Sequence, residues 1–265
     1  MCRLFGMTAG AVPVRATFWL LEAPDSLDLQ SSANPDGTGL GVFDRSGRPH
    51  VYKQALAADH DLDFVREARD LESTTFVGHV RKASAGAVAL RNTHPFVADD
   101  RIFAHNGGFG DLGTLEHELG DDLARVEGDT DSERLLALVT REIARLGDVT
   151  AGLVSAVDWV ADRLPVYALN VVLATPHELW ALRFPATHTL YVLESDAGPL
   201  AHASSAGIRV QADHAPPRVI VASERLDDDP AWSELGSGEL LHVAPDLTVT
   251  RSVVRDRPPV RTMAS

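Results

Sequence analysis

The sequence predicts an α+β fold, and two observations carry the prediction. Apolar runs of strand length dominate the chain up to His105, and two adjacent helical patterns follow before a second series of strands. Strands, neighbouring helices and more strands read as sheets covered by helices, not as an alternating βαβ array. No Pro/Gly/Ser-rich linker interrupts the series. One domain spanning residues 2–255 is therefore expected, followed by a flexible tail over 256–265.

Taken in order, residues 4–8 read as a short buried strand, and 16–29 fit a helix bent at Pro24. Asn34-Pro35-Asp36-Gly37-Thr38-Gly39 is loop chemistry. Residues 40–43 and 50–54 pair as a hairpin across Asp44-Arg45-Ser46-Gly47. Residues 62–71 carry Phe64, Val65, Ala68 and Leu71 at helical spacing. Strands over 75–80 and 101–105 flank a loop containing Asn92-Thr93-His94-Pro95.

The clearest helix is 131–146. Thr130 or Asp131 can cap it, and Leu135, Leu136, Leu138, Val139, Ile143 and Leu146 form its buried face. A second helix over 150–164 ends before Pro165. Strands then follow at 168–174, 178–184, 189–194, 218–223, 239–244 and 248–254. Thr175-Pro176-His177 and Pro245-Asp246 supply turns between neighbours.

Composition narrows the function classes. The 265 residues are 45% hydrophobic, 23% charged and 6% aromatic, as in a soluble globular protein, with no low-complexity segment. A net charge of -14 argues against general affinity for nucleic acid or anionic membrane, which needs clustered Lys and Arg. No apolar stretch approaches the roughly 20 residues of a membrane span, and no signal-type segment opens the chain, so a cytoplasmic location is expected. Cys2 is the only cysteine, which rules out an intramolecular disulfide and a multi-cysteine zinc site.

Four places can carry chemistry. Removal of Met1 would leave Cys2 with a free α-amine of pKa about 7.7–8.0 beside a thiol of about 8.5. Nucleophile and base then share one residue. Cys2 is equally a small apolar residue near a terminus. Gly78-His79-Val80-Arg81, followed by Lys82-Ala83-Ser84, can present a guanidinium fork and a hydroxyl to a carboxylate, although a strand-end Arg also suits a surface ion pair. His105-Asn106-Gly107-Gly108 offers a side-chain donor and an unobstructed backbone N–H, the two parts of an oxyanion hole. Asn-Gly is equally a strong turn signal. Asp129-Thr130-Asp131-Ser132-Glu133 opens the best helix, where one carboxylate suffices for capping and another can bind an ammonium.

In this order, Cys2, Gly-His-Val-Arg, Asn-Thr-His-Pro-Phe, His-Asn-Gly and Asp-Ser-Glu resemble the class II, N-terminal nucleophile glutamine amidotransferases. The Pro35-Asp36-Gly37 loop fits the same family. The setting of Asp227-Asp228-Asp229-Pro230, with Ala222-Ser223-Glu224 before it and Trp232 after it, resembles the small γ-glutamyl hydrolases of ergothioneine biosynthesis.

The resemblance implies a four-layer αββα sandwich of the N-terminal nucleophile hydrolase type, with no metal and no organic cofactor. It implies that Cys2 is the nucleophile and that Asn106 and the Gly107 N–H form the oxyanion hole. Arg81, with Ser84, would hold the substrate α-carboxylate, and Asp131 the α-ammonium. His79, His94 and His105 invite a zinc reading, but they lack short ligand spacing and each sits inside a family motif. The implied reaction is hydrolysis of a γ-glutamyl amide through a Cys2 thioester by a stand-alone enzyme acting on a small molecule. The alternatives are a glutaminase subunit feeding ammonia to a separate synthase, and a non-catalytic scaffold with the same fold.

Overall fold

A computed structural model describes residues 2–83, 86–203 and 209–263. In chain order its elements begin with β1 (Arg3–Thr8), a π-helical turn (Phe18–Glu22), α1 (Leu27–Ser31), β2 (Gly37–Phe43) and β3 (Pro49–Gln54). Next come α2 (Leu62–Asp70), β4 (Thr75–Arg81), β5 (Phe96–Ala98), β6 (Arg101–Phe109), α3 (Leu112–Leu119), α4 (Asp131–Leu146) and α5 (Val149–Arg163). The remainder is strands: β7 (Pro165–Ala174), β8 (Leu179–Arg183), β9 (Tyr191–Ser195), β10 (Gly198–Ala203), β11 (Arg209–Ala215) and β12 (Arg218–Ala222). Then follow β13 (Ser233–Glu234), β14 (Glu239–Val243), β15 (Val249–Val253) and β16 (Arg261–Thr262).

Two antiparallel sheets with helices make the fold α+β. One sheet runs β13-β9-β12-β1-β4-β2-β3, and the other runs β15-β14-β8-β7-β6-β5 with β16 alongside β7. β10 and β11 form a separate hairpin. Apolar side chains fall into three clusters, as strand alternation dictates. Phe5, Met7, Phe76 and Ile220 of the first sheet pack with Trp19, Leu27, Phe64 and Trp232. Phe103, Leu169, Val171 and Leu173 of the second pack with Leu115, Leu135, Leu138, Leu153 and Val157 of α3, α4 and α5. The third cluster joins the opposite faces of both sheets, with Leu4 and Val77 meeting Ala104, Val172 and Leu179.

Helix α4 has the boundaries its periodicity predicts. The Thr130 hydroxyl accepts from the Glu133 N–H at 3.3 Å, and Gly147 closes the far end in the left-handed region at φ 70°. The segment 16–29 departs from the single bent helix expected of it. A π-helical turn ends at Glu22, Pro24 follows, and Ser26 caps a new helix by accepting from the Leu29 N–H. The tail also departs from expectation. Arg255 is buried and paired with Asp158 and Asp162, the Val260 N–H donates to the Ala161 carbonyl at 2.9 Å, and β16 pairs in parallel with β7. Arg255 bonded to two carboxylates on α5 anchors a segment whose composition reads as frayed.

Candidate active site

Central position in a sheet places Cys2. β1 lies between β12 and β4, with Arg3 opposite Val80 and Phe5 opposite Ala222, so Cys2 leads into a strand bonded on both sides. Its sulfur accepts from the Lys82 N–H at 3.2 Å and lies 3.3 Å from the Lys82 carbonyl. Burial raises the thiol pKa above its ordinary value, and the Lys82 N–H and the Arg81 charge oppose that rise while Asp131 adds to it. Arg81 and Asp131, 50 positions apart in sequence, are thus both felt at the sulfur.

Arg81 ends β4, where Gly37 of β2 sits opposite. Its guanidinium donates to the Ala87 carbonyl at 3.1 Å and the Gly86 carbonyl at 3.4 Å. The side chain is 4% exposed, so its charge acts where water screens it little. Asp36 joins this wall, as its N–H donates to the Arg81 carbonyl and its carboxylate accepts from the Ala83 N–H at 2.8 Å. Ser84, expected beside Arg81, lies outside the described residues.

Asn106 arrives from the other sheet. On β6, Ile102 and Ala104 belong to the cluster between the sheets, and alternation turns Asn106 the same way, while Phe103 faces the helices. The Asn106 amide donates to the Ser223 hydroxyl at 3.4 Å, a long bond readily surrendered to a better acceptor. The same hydroxyl accepts from the Leu4 N–H at 2.9 Å, so Ser223 ties β1 and β12 to β6. Gly107 passes so close to β7 that a Cβ would stand 1.9 Å from the Ala168 carbonyl oxygen. Glycine is required there by contact.

Asp131 opens α4 without capping it, since Thr130 does that. Its carboxylate accepts from the Phe109 N–H at 3.2 Å and the Ser132 N–H at 2.9 Å. A register shift between Gly108 and Phe109 turns that N–H toward it. His105 braces the junction: its Nε2 meets the Ala168 carbonyl at 3.1 Å, which can only accept, so Nδ1 accepts from the Ser132 hydroxyl at 2.9 Å. His79 and His94 stack at 4.3 Å between centroids, both buried. Burial drives the His79 pKa down to about 3 and that of His94 well below its ordinary value. Among the described residues, no group of three or more His, Cys, Asp or Glu side chains is arranged to hold a metal ion.

The fold therefore gathers Cys2, Arg81, Asn106, Gly107 and Asp131, from β1, β4, β6 and the head of α4. Sequence reasoning did not single out Ser223 or the His105–Ser132 brace as parts of the site. The Asp129-to-Glu133 run gave no hint that the second helical residue would answer a histidine on a neighbouring strand.

A putative glutamine amidotransferase of Haemophilus influenzae is 30% identical over 138 residues, covering 50% of this chain and 45% of that protein, so the chain spans about half of that relative's length. The γ-glutamyl-hercynylcysteine sulfoxide hydrolase of Mycolicibacterium smegmatis is 28% identical over 235 residues, covering 84% of this chain and 88% of that protein. A solved structure of a glutamine aminotransferase class-II domain protein from Silicibacter pomeroyi has the same fold, with a TM-score of 0.65 at 21% identity over 95% of this chain and 98% of that one. The family description of class II glutamine amidotransferases matches residues 1–262, and the chain belongs to that family.

Proposed function

We propose that this chain is a free-standing enzyme that hydrolyses γ-glutamyl amides through a Cys2 thioester. The observation that carries the reading is a partly buried thiol, held by the Lys82 N–H, that feels the charges of one guanidinium and one carboxylate, Arg81 and Asp131. A γ-glutamyl group carries a carboxylate and an ammonium on its Cα, and these two charges complement both. Held there, its γ-carbonyl faces the sulfur. Simple amides lack the two anchoring charges and are not held.

Burial keeps the Cys2 thiol protonated, so a base is needed. With Met1 removed, the α-amine of Cys2 takes the proton as sulfur attacks the carbonyl carbon. The Asn106 amide leaves Ser223 for the developing oxyanion, and the Gly107 N–H supplies the second donor. The protonated α-amine then gives its proton to the departing amine as the C–N bond breaks, leaving a thioester. Water, deprotonated by the same amine, releases glutamate and the thiol. The stacked apolar clusters support the finer architectural reading of a four-layer αββα sandwich.

Coverage of 88% of a relative named as a γ-glutamyl-conjugate hydrolase supports the hydrolase over the synthase-feeding subunit. The test is kcat/KM of the isolated chain for glutamine and for γ-glutamyl conjugates of amines. Preference for a conjugate by more than about tenfold, or ~1.4 kcal/mol, supports the hydrolase. Glutamine as the best substrate, or turnover only after another protein is added, replaces it with the ammonia-supplying subunit.

A further inference from the structure

The strand order places a second wall beside Cys2. β4, bearing Arg81, flanks β1 on one side, and β12, leading into Ser223 and Glu224, flanks it on the other. On the β12 side lies a cavity of about 150 Å³ lined by Arg3, Asn106, Thr187, His188, Ser223 and Glu224. It therefore includes the residue assigned to the oxyanion, Asn106, and neither Arg81 nor Asp131, the charges assigned to the glutamyl group. Its volume is about five times the ~30 Å³ share of one water molecule, far more than departing ammonia needs.

The walls have a definite chemistry. Arg3 donates to the Cys2 carbonyl at 3.2 Å and pairs with Glu224 at 3.3 Å, which fixes a guanidinium beside the nucleophile. The Glu224 side chain is 37% exposed against 20% for Arg3, so the carboxylate is the member of the pair that can swing to solvent. A guanidinium fork with five N–H donors can be shared with a second carboxylate. In the same lining, His188 is 5% exposed and its Nδ1 is buried without a hydrogen-bond partner among the described residues. The His188 backbone is held, as its carbonyl accepts from Arg183 at 2.7 Å and from Asn170, and Tyr167 meets the ring edge-on. Burial lowers the His188 pKa and keeps the ring neutral, a hydrogen-bonding group without charge.

We infer that this cavity is the subsite for the departing half of the substrate and that it takes an amino acid, making γ-glutamyl amino acids the substrate class. The α-carboxylate of the departing residue shares the Arg3 fork with Glu224 or displaces it, and a polar side chain reaches His188 Nδ1. This rests on the γ-glutamyl hydrolase reading above.

A matched pair of substrates tests it: γ-glutamylalanine and γ-glutamylethylamide, which differ by the carboxylate of the leaving amine. The native enzyme is expected to prefer γ-glutamylalanine in kcat/KM by at least tenfold. Arg3→Gln should collapse that ratio about tenfold. Glu224→Gln, by removing the competing carboxylate, should raise it, and a rise in preference cannot come from misfolding. If the native ratio is near one, or if Arg3→Gln lowers both substrates equally and Glu224→Gln leaves the ratio unchanged, the subsite assignment is wrong while the hydrolase stands. If neither substrate nor glutamine is cleaved, the hydrolase reading falls and the subsite with it.

Discussion

Acid should unfold this protein through its buried histidines, and His79 gives the effect a size. Its ring is fully buried, and burial, with help from the charges of His105 and Arg81, sets its folded pKa at about 3. In the unfolded chain the ordinary value of about 6.5 applies. Between these two values the unfolded state binds the proton and the native state does not. Stability is therefore full above pH 6.5 and falls as the pH drops through that window. From pH 7 to pH 5 the loss from His79 alone is about 2 kcal/mol. His94 and His105, also lowered by burial, add in the same direction. Glu67 acts oppositely, since burial and the nearby Asp61 and Asp63 raise its pKa to about 7, so it contributes stability as the pH falls. It is too exposed to be assigned a full share. For that reason the measurement is a difference. Urea denaturation of the native chain and of His79→Gln at pH 7 and pH 5 should show a pH-dependent loss smaller by about 2 kcal/mol in the variant. Equal losses in the two proteins would refute the assignment.

The other predictions concern the site. Cys2→Ser should retain the native circular dichroism spectrum and lose nearly all turnover, because a hydroxyl is both a weaker nucleophile and a poorer leaving group. Full activity in protein whose intact mass still includes Met1 would exclude the α-amine as base. Asn106→Ala should lower kcat by about 10²–10³ with a small change in KM. An effect confined to KM would make Asn106 a ground-state contact. Gly107→Ala should cost at least about 1–3 kcal/mol in chemical denaturation, since a Cβ 1.9 Å from the Ala168 oxygen forces β6 and β7 apart. Native stability in that variant would show that the strand pair can yield.

Much of the fold and site was legible because local chemistry and tertiary role coincide. α4 reads correctly at both ends because Thr130 and Gly147 are local signals. Cys2, Arg81, Asn106 and Asp131 stand out as candidates in the sequence because each terminates or opens an element within a recognisable run. The segment 16–29 and the tail misled for the opposite reason. Trp19 and Leu20 pack with Phe64 and Trp232, and Arg255 is held by Asp158 and Asp162, far along the chain. α3, over Leu112–Leu119, escaped notice. Asp111 stands where a helix start signal would, but it has positive φ and makes no side-chain cap, and Gly113 in the first turn weakens the helical pattern. Ser223 was legible only as part of a family resemblance, since its bonds to Leu4 and Asn106 join residues more than a hundred positions away.

The parallel pairing of β16 with β7 has a practical consequence. The Met263 N–H donates to the Val166 carbonyl, and the space beside Gly108 is bounded by the Asp131 carboxylate and the Met263 methyl group. Residue 263 thus stands next to the proposed ammonium-binding carboxylate, while residue 2 carries the proposed nucleophile. Affinity tags are chosen for the ends of a chain because ends are taken to be remote from function. Under the proposed mechanism a fusion directly ahead of Cys2 would block the amine, and a larger group at Met263 would crowd the Asp131 carboxylate. Purification handles for this enzyme belong on an exposed internal turn such as Ser46-Gly47, at the far end of the β2–β3 hairpin from Gly37 and its partner Arg81.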